Sequence, residues 1–227
     1  MSFTIFVLMS SVITAQNTDT FYQNIFYKKY NIQPQKIDSF DSLPDRIKKL
    51  SSDFTTNRFG GYNSMIKFIH AQIFPIDTLF KGDITDLKKR NVSVNPIPQY
   101  DLYYSFKDSS LGISQYCINI QMDKLGQVLY CNFPNLSSPE MKINSIMNAR
   151  NYSDSIMTSL NPQISIKNYS ISLIYDNNYG RLIWQICYFK VSNEFTSYYQ
   201  CLLINAHYNK LIMEKEMFDV NFPIELK

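Results

Sequence analysis

The chain has 227 residues, of which 45% are hydrophobic and 18% charged, with a formal net charge of +3. That length fits one large domain or two small ones, and the composition is that of a packed chain rather than a disordered one. Six glycines argue against Gly-rich nucleotide loops and collagen, the small net charge against nucleic acid as the main partner, and two histidines leave little for His-dependent catalysis or metal binding.

Ile5 to Ile13 is an apolar run broken by two serines. A membrane span needs about 20 residues, so the run is too short. Ile13-Thr14-Ala15 followed by Gln16 fits a signal-peptidase site with small Ala15 at the cleaved position, although Lys and Arg are missing upstream. Residues 1–16 are therefore read as a signal peptide, the alternative being a buried first strand. Export makes the chain periplasmic, outer-envelope or secreted, with no integral membrane segment after cleavage.

Thr18 to Asn31 spaces Phe21, Tyr22, Phe26, Tyr27 and Tyr30 as a short amphipathic helix would. Ser42-Leu43-Pro44-Asp45 reads as a helix start, with a capping serine, an early proline and an acid in the first turn. Ile47, Leu50 and Phe54 follow at helical spacing, and Lys48 and Lys49 fall on the solvated face. Gly60-Gly61 breaks the chain. Asn63 or Ser64 then opens a further helix reaching Phe74, with Met65, Ile66, Phe68, Ile69 and Ile73 as its apolar stripe and Pro75 at its end. Lys81 to Arg90 is charged and read as surface. Asn95-Pro96-Ile97-Pro98 is a stiff connector between a mainly helical region, 17–98, and an α+β region, 99–227.

From Tyr100 the period changes to two. Tyr116, Ile118, Ile120 and Met122 alternate with Cys117, Asn119, Gln121 and Asp123. Asp123-Lys124-Leu125-Gly126 is turn chemistry, and Val128-Leu129-Tyr130 returns, which makes a hairpin. Ser138-Pro139-Glu140 reads as a helix start, with Ile143, Ile146, Met147, Met157 and Leu160 on the apolar side and Asn161-Pro162 as the stop. Four strands follow: Tyr169 to Tyr175, Leu182 to Tyr188, Tyr198 to Asn205 and Leu211 to Met217. A helix followed by an antiparallel meander is an α+β unit. Ile113–Cys117 also echoes Ile183–Cys187, by chance or by duplication.

Cys117, Cys131, Cys187 and Cys201 form no C-x-x-C pair, so no zinc or redox motif is read and no metal or cofactor is assigned. All four are disulfide candidates in an exported chain. Three connectivities are open, as is the alternative of four reduced cysteines.

The stretch from Ile143 to Met217 resembles a PepSY domain, the module of peptidase propeptides and of free-standing exported bacterial proteins. The resemblance rests on "INSIMNARNYSDSIM" as the helix, on "YSISLIYDNNYGRLIWQICYF" as a strand, turn and Trp-bearing strand, and on "YYQCLLINAHYNKLIMEKEM" as the closing pair. Trp184 falls at the family's tryptophan and Asn205-Ala206-His207 at its "DAxTG" turn, with Asn205 in place of the acid and Asn209-Lys210 in place of the glycine. The resemblance implies a PepSY/cystatin-like fold, a helix packed on an antiparallel meander, and a role in binding, inhibiting or chaperoning a peptidase. A second resemblance, of "FGGYNSMIKFIHAQIFP" and "MDKLGQV", is to the C-terminal domain of TonB-type transducers, and it implies an envelope interaction domain whose helix at Asn63–Phe74 packs on the central hairpin.

No G-x-S-x-G, H-E-x-x-H or P-loop is present. His70 and His207 read as structural or solvated. An alternative hydrolase reading joins Cys201 or a serine with His207, of which the Cys201–His207 dyad is disfavoured by strand geometry. Asp176, Glu214, Glu216 and Asp219 read as surface charges. Trp184, Tyr198 and Tyr199 are the candidate binding residues, each with a core or cross-strand packing alternative. The leading expectation is an exported, non-enzymatic module that binds a protein, a peptidase by the resemblance, through edge-strand or sheet-face contact. The mature protein should lack the leader; an intact mass that still begins at Met1 removes the export assignment.

Overall fold

The computed structural model describes residues 33–75, 98–138 and 141–220. The leader at 1–16, the helix expected at Thr18–Asn31, the charged stretch Lys81–Arg90, most of the Asn95–Pro98 connector and the Pro139-Glu140 helix start lie outside them.

The order is β1 (Gln35–Ile37), α1 (Asp45–Phe59), β2 (Ile66–Ile73), β3 (Tyr100–Asp108), β4 (Ile113–Met122), β5 (Val128–Cys131), α2 (Ile146–Leu160), β6 (Tyr169–Asp176), β7 (Arg181–Ser192), β8 (Thr196–Asn205) and β9 (Lys210–Val220). Both sheets are antiparallel meanders, β1-β2-β3-β4-β5 and β6-β7-β8-β9. The fold class is therefore α+β, and a helix followed by four meandering strands occurs twice. The Ile113–Cys117 echo does not track this repeat. It lies on the third strand after α1, whereas Ile183–Cys187 lies on the second strand after α2.

α1 begins two residues later than the Ser42 reading. Ser42 closes a 3₁₀ turn, and Pro44 holds the cap position and accepts from Lys48 N at 3.0 Å. Asp45 and Lys48 pair across the first turn at 2.8 Å. Ile47, Ser51, Thr55 and Phe59 form the buried ridge. The two polar members are satisfied locally: the Ser51 hydroxyl donates to Lys48 O and that of Thr55 to Ser52 O. Gly60 ends the helix at φ +52°, where a Cβ would also meet Leu136 O at 2.9 Å. Phe59 packs edge-on against Phe133, which also contacts Phe106 and Tyr116. The Arg58 guanidinium donates twice to Phe133 O and so fastens the end of α1 to the segment that follows β5.

The helix expected at Asn63–Phe74 is instead a 3₁₀ turn, Gly60–Met65, followed by strand β2. The cause is a β-bulge between Phe68 and His70. The bulge puts Ile66, Phe68, Ala71 and Ile73 against the core while Ile69 is exposed, and that broken alternation imitates helical spacing. The region 17–98 is thus mixed among its described residues, and β2 pairs with β3 across position 98.

The β4–β5 hairpin forms as read. Asp123 accepts from Leu125 N and Gln127 N at 2.8 Å, and Gly126 takes φ +78°. Ile118, Ile120 and Met122 are fully buried. α2 starts at Ser145, seven residues beyond the Ser138 reading, with the Ser145 hydroxyl accepting from Asn148 N at 3.3 Å. Its buried ridge is Ala149, Ser153 and Met157, while Met147 and Leu160 point to solvent. The four strands after α2 lie where they were read, and one hydrophobic cluster runs from α1 through both sheets.

Cys187 and Cys201 are bonded. They stand directly opposite one another in the β7–β8 register. The other pair has the same sequence separation but a different register: Cys131 faces Ile120, which is buried, and Cys117 alternates with Ile118 onto the opposite face. A Cys117–Cys131 bond would have to pass through the sheet. Cys117 is exposed, and burial pushes the Cys131 thiol up to about 11. Replacing both Cys187 and Cys201 by Ser should lower unfolding free energy by about 3 kcal/mol in denaturant titration. A thiol reagent should label Cys117 in the native protein and Cys131 only after unfolding.

Candidate interaction surface

The inner face of the second sheet is built by period two. Leu182, Trp184, Ile186 and Tyr188 on β7 lie beside Ile204, Leu202 and Gln200 on β8. α2 lies on this face. Trp184 is only 2% exposed, and its indole N–H donates to Asn144 O at 3.0 Å, just before the helix. Halfway along, the Tyr188 hydroxyl shares hydrogen bonds with Ser153 Oγ at 2.6 Å and Asp154 Oδ1 at 2.7 Å. Arg150 clasps both Asp154 oxygens, reaches Ile166 O and lies over the Tyr169 ring. Burial raises the Tyr188 phenol well above its ordinary range.

Beyond Tyr188 the helical cover ends. A bulge between Phe189 and Val191 turns Lys190 aside and brings Val191 into line with Tyr198 on β8 and Phe218 on β9. These three share the face that α2 covers further back, yet Val191 is 53% exposed, Tyr198 39% and Phe218 64%. Val220 and, in the β7–β8 turn, Phe195 extend the exposed apolar group.

Of the candidate binding residues, Tyr198 belongs to this surface. Tyr199 points to the other face, half-buried, with its ring edge-on to Phe189 at 6.0 Å. Trp184 is part of the core and presents nothing to a partner. Val191, Phe195, Phe218 and Val220 were missed; the apolar Phe218 and Val220, spaced two apart after Glu214 and Glu216, were the available signal.

Edge geometry adds to the picture. β1 and β5, the edges of the first sheet, span three and four residues, whereas β9 spans 11 and has β8 as its one neighbour among the described residues. Glu214 and Glu216 point inward along β9 and are satisfied there. Glu214 accepts from Asn161 and Gln200, and Glu216 pairs with Lys190. Inward charges protect an edge against uncontrolled pairing, but past Glu216 the inner face of β9 carries Phe218 and Val220, both exposed among the described residues.

The outer face of the first sheet is polar and has a different character. Gln72, Asp101 and Gln121 stand in one cross-strand row, and His70, Tyr103 and Asn119 in the next, with His70 and Tyr103 stacked at 4.5 Å. Asp101 is 7% exposed and hydrogen-bonds the Gln121 side chain, while its Oδ1 has no partner. Burial raises its carboxyl to about 7.

His207 closes the β8–β9 turn. It is buried, and its Nδ1 lies 3.1 Å from Lys142 O. Asn205 Oδ1 accepts from His207 N and Tyr208 N, and Asn144 Nδ2 donates to His207 O. These bonds tie the turn to the start of α2, and burial lowers the His207 pKa. A groove of about 380 Å³ nearby is lined by Tyr62, Met65, Leu136, Met141 and Lys142 among others, without His207. The disulfide occupies the Cys201 sulfur, so Cys201 has no thiol for His207 to activate. Among the described residues no three His, Cys, Asp or Glu side chains gather to hold a metal, and no helix is long and apolar enough to cross a membrane.

No family model, curated protein or solved structure matches the chain.

The Asp101 carboxyl titrates near 7 in the folded chain and at its ordinary value, 3.8, when unfolded. Between those values folding takes up a proton, so stability is full at acid pH and falls as pH rises toward 7. Asp101→Asn should remove this slope and raise stability at pH 8, relative to pH 4, by on the order of 4 kcal/mol in urea titrations.

Proposed function

We propose that the chain is an exported, non-catalytic protein-binding module that receives a partner at the β9 edge and seats the partner's apolar side chains on Val191, Tyr198 and Phe218. The observation that carries the reading is the coincidence of two features: the 11-residue strand β9, with β8 as its one neighbour among the described residues, and the exposed apolar cluster occupy the same end of the same sheet. Main-chain hydrogen bonds along an edge strand supply affinity, and side chains standing on the sheet supply selectivity. The polar face of the first sheet serves less well, because Asp101 and Gln121 are already buried there. The PepSY resemblance supports a peptidase as the partner class, with inhibition or chaperoning as the outcome, and the leader supports action outside the cytoplasm.

A photo-crosslinking side chain placed at position 218 or 198 should form adducts with protein in the intact producing cell. The same group at the exposed Tyr179, in the β6–β7 turn, should not. Phe218→Lys should abolish the adducts formed from position 198. Equal labelling from 179, or none from 198 and 218, removes this surface as the binding site.

A further inference from the structure

We propose that β9 is a self-pairing edge, and that two copies of the chain join their second sheets antiparallel through residues 214–220, across a two-fold axis at Met217. This rests on the strand-pairing reading above and names the donor of the incoming strand as a second copy.

A two-fold contact sets the same patch against itself, so residue i faces j and j faces i. In an antiparallel pair, opposed residues share a face. On β9 the Leu203–Met213 and Tyr199–Met217 pairings place Met213, Lys215, Met217 and Asp219 on the outer face. Glu214, Glu216, Phe218 and Val220 lie on the inner one, following Leu202, Gln200, Tyr198 and Thr196. Only a few registers keep the faces matched. An axis at Glu214, Glu216 or Asp219 sets like carboxylates opposite each other, and one at Lys215 opposes two lysines and sets Glu214 against Glu216. An axis at Met213 runs into the irregularity between Met213 and Leu211. One at Phe218 carries Lys215 beyond the end of the strand.

An axis at Met217 does the opposite. On the outer face it sets Lys215 of each copy against Asp219 of the other, on both sides of a Met217–Met217 contact. On the inner face it sets Glu216, already neutralised by Lys190, against the other copy's Phe218. The two Phe218 rings then lie diagonally across the axis, within reach of one another. β9 contains no proline, and its side chains along 218–220 are exposed. Pairing β9 with β6 of another copy would be heterologous and would propagate without closing, whereas β9 with β9 closes at two copies. The apolar ends of both copies come together on one side of the joined sheet, and that side stays open to a further partner.

Sedimentation equilibrium of the full exported chain at micromolar concentration should give twice the single-chain mass. Lys215→Asp sets a carboxylate against Asp219 at both symmetric positions and should raise the dissociation constant about tenfold. Asp219→Lys, at an exposed position, should do the same, and the double variant Lys215→Asp/Asp219→Lys should restore the wild-type value by exchanging the charges. A single-chain mass for the wild type, or a dimer that ignores the single variants or is not rescued by the double one, overturns the proposal. A monomer that still crosslinks to another protein from position 218 removes the second copy as donor and leaves the edge-binding reading in place.

Discussion

A mismatch of lengths governs the second half of this protein. α2 has 15 residues and so runs about 22 Å. β7 and β9 have 12 and 11 residues and run about 35–40 Å. One helix cannot cover such strands from end to end. The bonds from Asn144 to Trp184 and from Ser153 and Asp154 to Tyr188 fix the helix over one end of the sheet. The uncovered length then falls at the other end, where Val191, Tyr198 and Phe218 stand. The exposed apolar group follows from the anchoring of α2, and β9, which has β8 as its one neighbour among the described residues, lies beside it.

Bulges decide which residues reach that surface. In a strand the side-chain period is two, so one inserted residue exchanges the faces of everything after it. The bulge near Lys190 delivers Val191 to the apolar face and sends Lys190 to Glu216. The bulge in β2 sets Ala71 and Ile73 on the same side as Ile66 and Phe68. Register does the same for the cysteines. Two pairs with equal spacing along the chain meet different fates, because Cys201 lies opposite Cys187 whereas Cys131 lies opposite Ile120.

The two sheets carry different chemistry on their unhelped surfaces. The first has short edges and a buried polar outer face, on which Asp101 lowers stability as pH rises. The second has a long edge, paired inward carboxylates and an uncovered apolar end. The proposed protein contact uses the second, and the proposed self-pairing draws on the same strand: opposite charges two residues either side of Met217 make β9 complementary to itself.

Local pattern sufficed for the strands from Tyr169 to Met217, the β4–β5 hairpin and its Asp123–Gly126 turn, and the apolar faces of β4 and β7. These are local matters, settled by period-two alternation and turn chemistry within a few residues. Sequence reading also named Tyr198 as a candidate, and it stands among the exposed apolar residues. Tertiary structure alone decided that Ile66–Ile73 is a strand, because a bulge is visible only against a partner strand; that Ser145 rather than Ser138 caps α2; that Trp184 is buried; and which cysteines are joined. It decided too where the apolar surface lies, since exposure depends on how far a helix anchored elsewhere can reach, and no local pattern in β7, β8 or β9 records that distance.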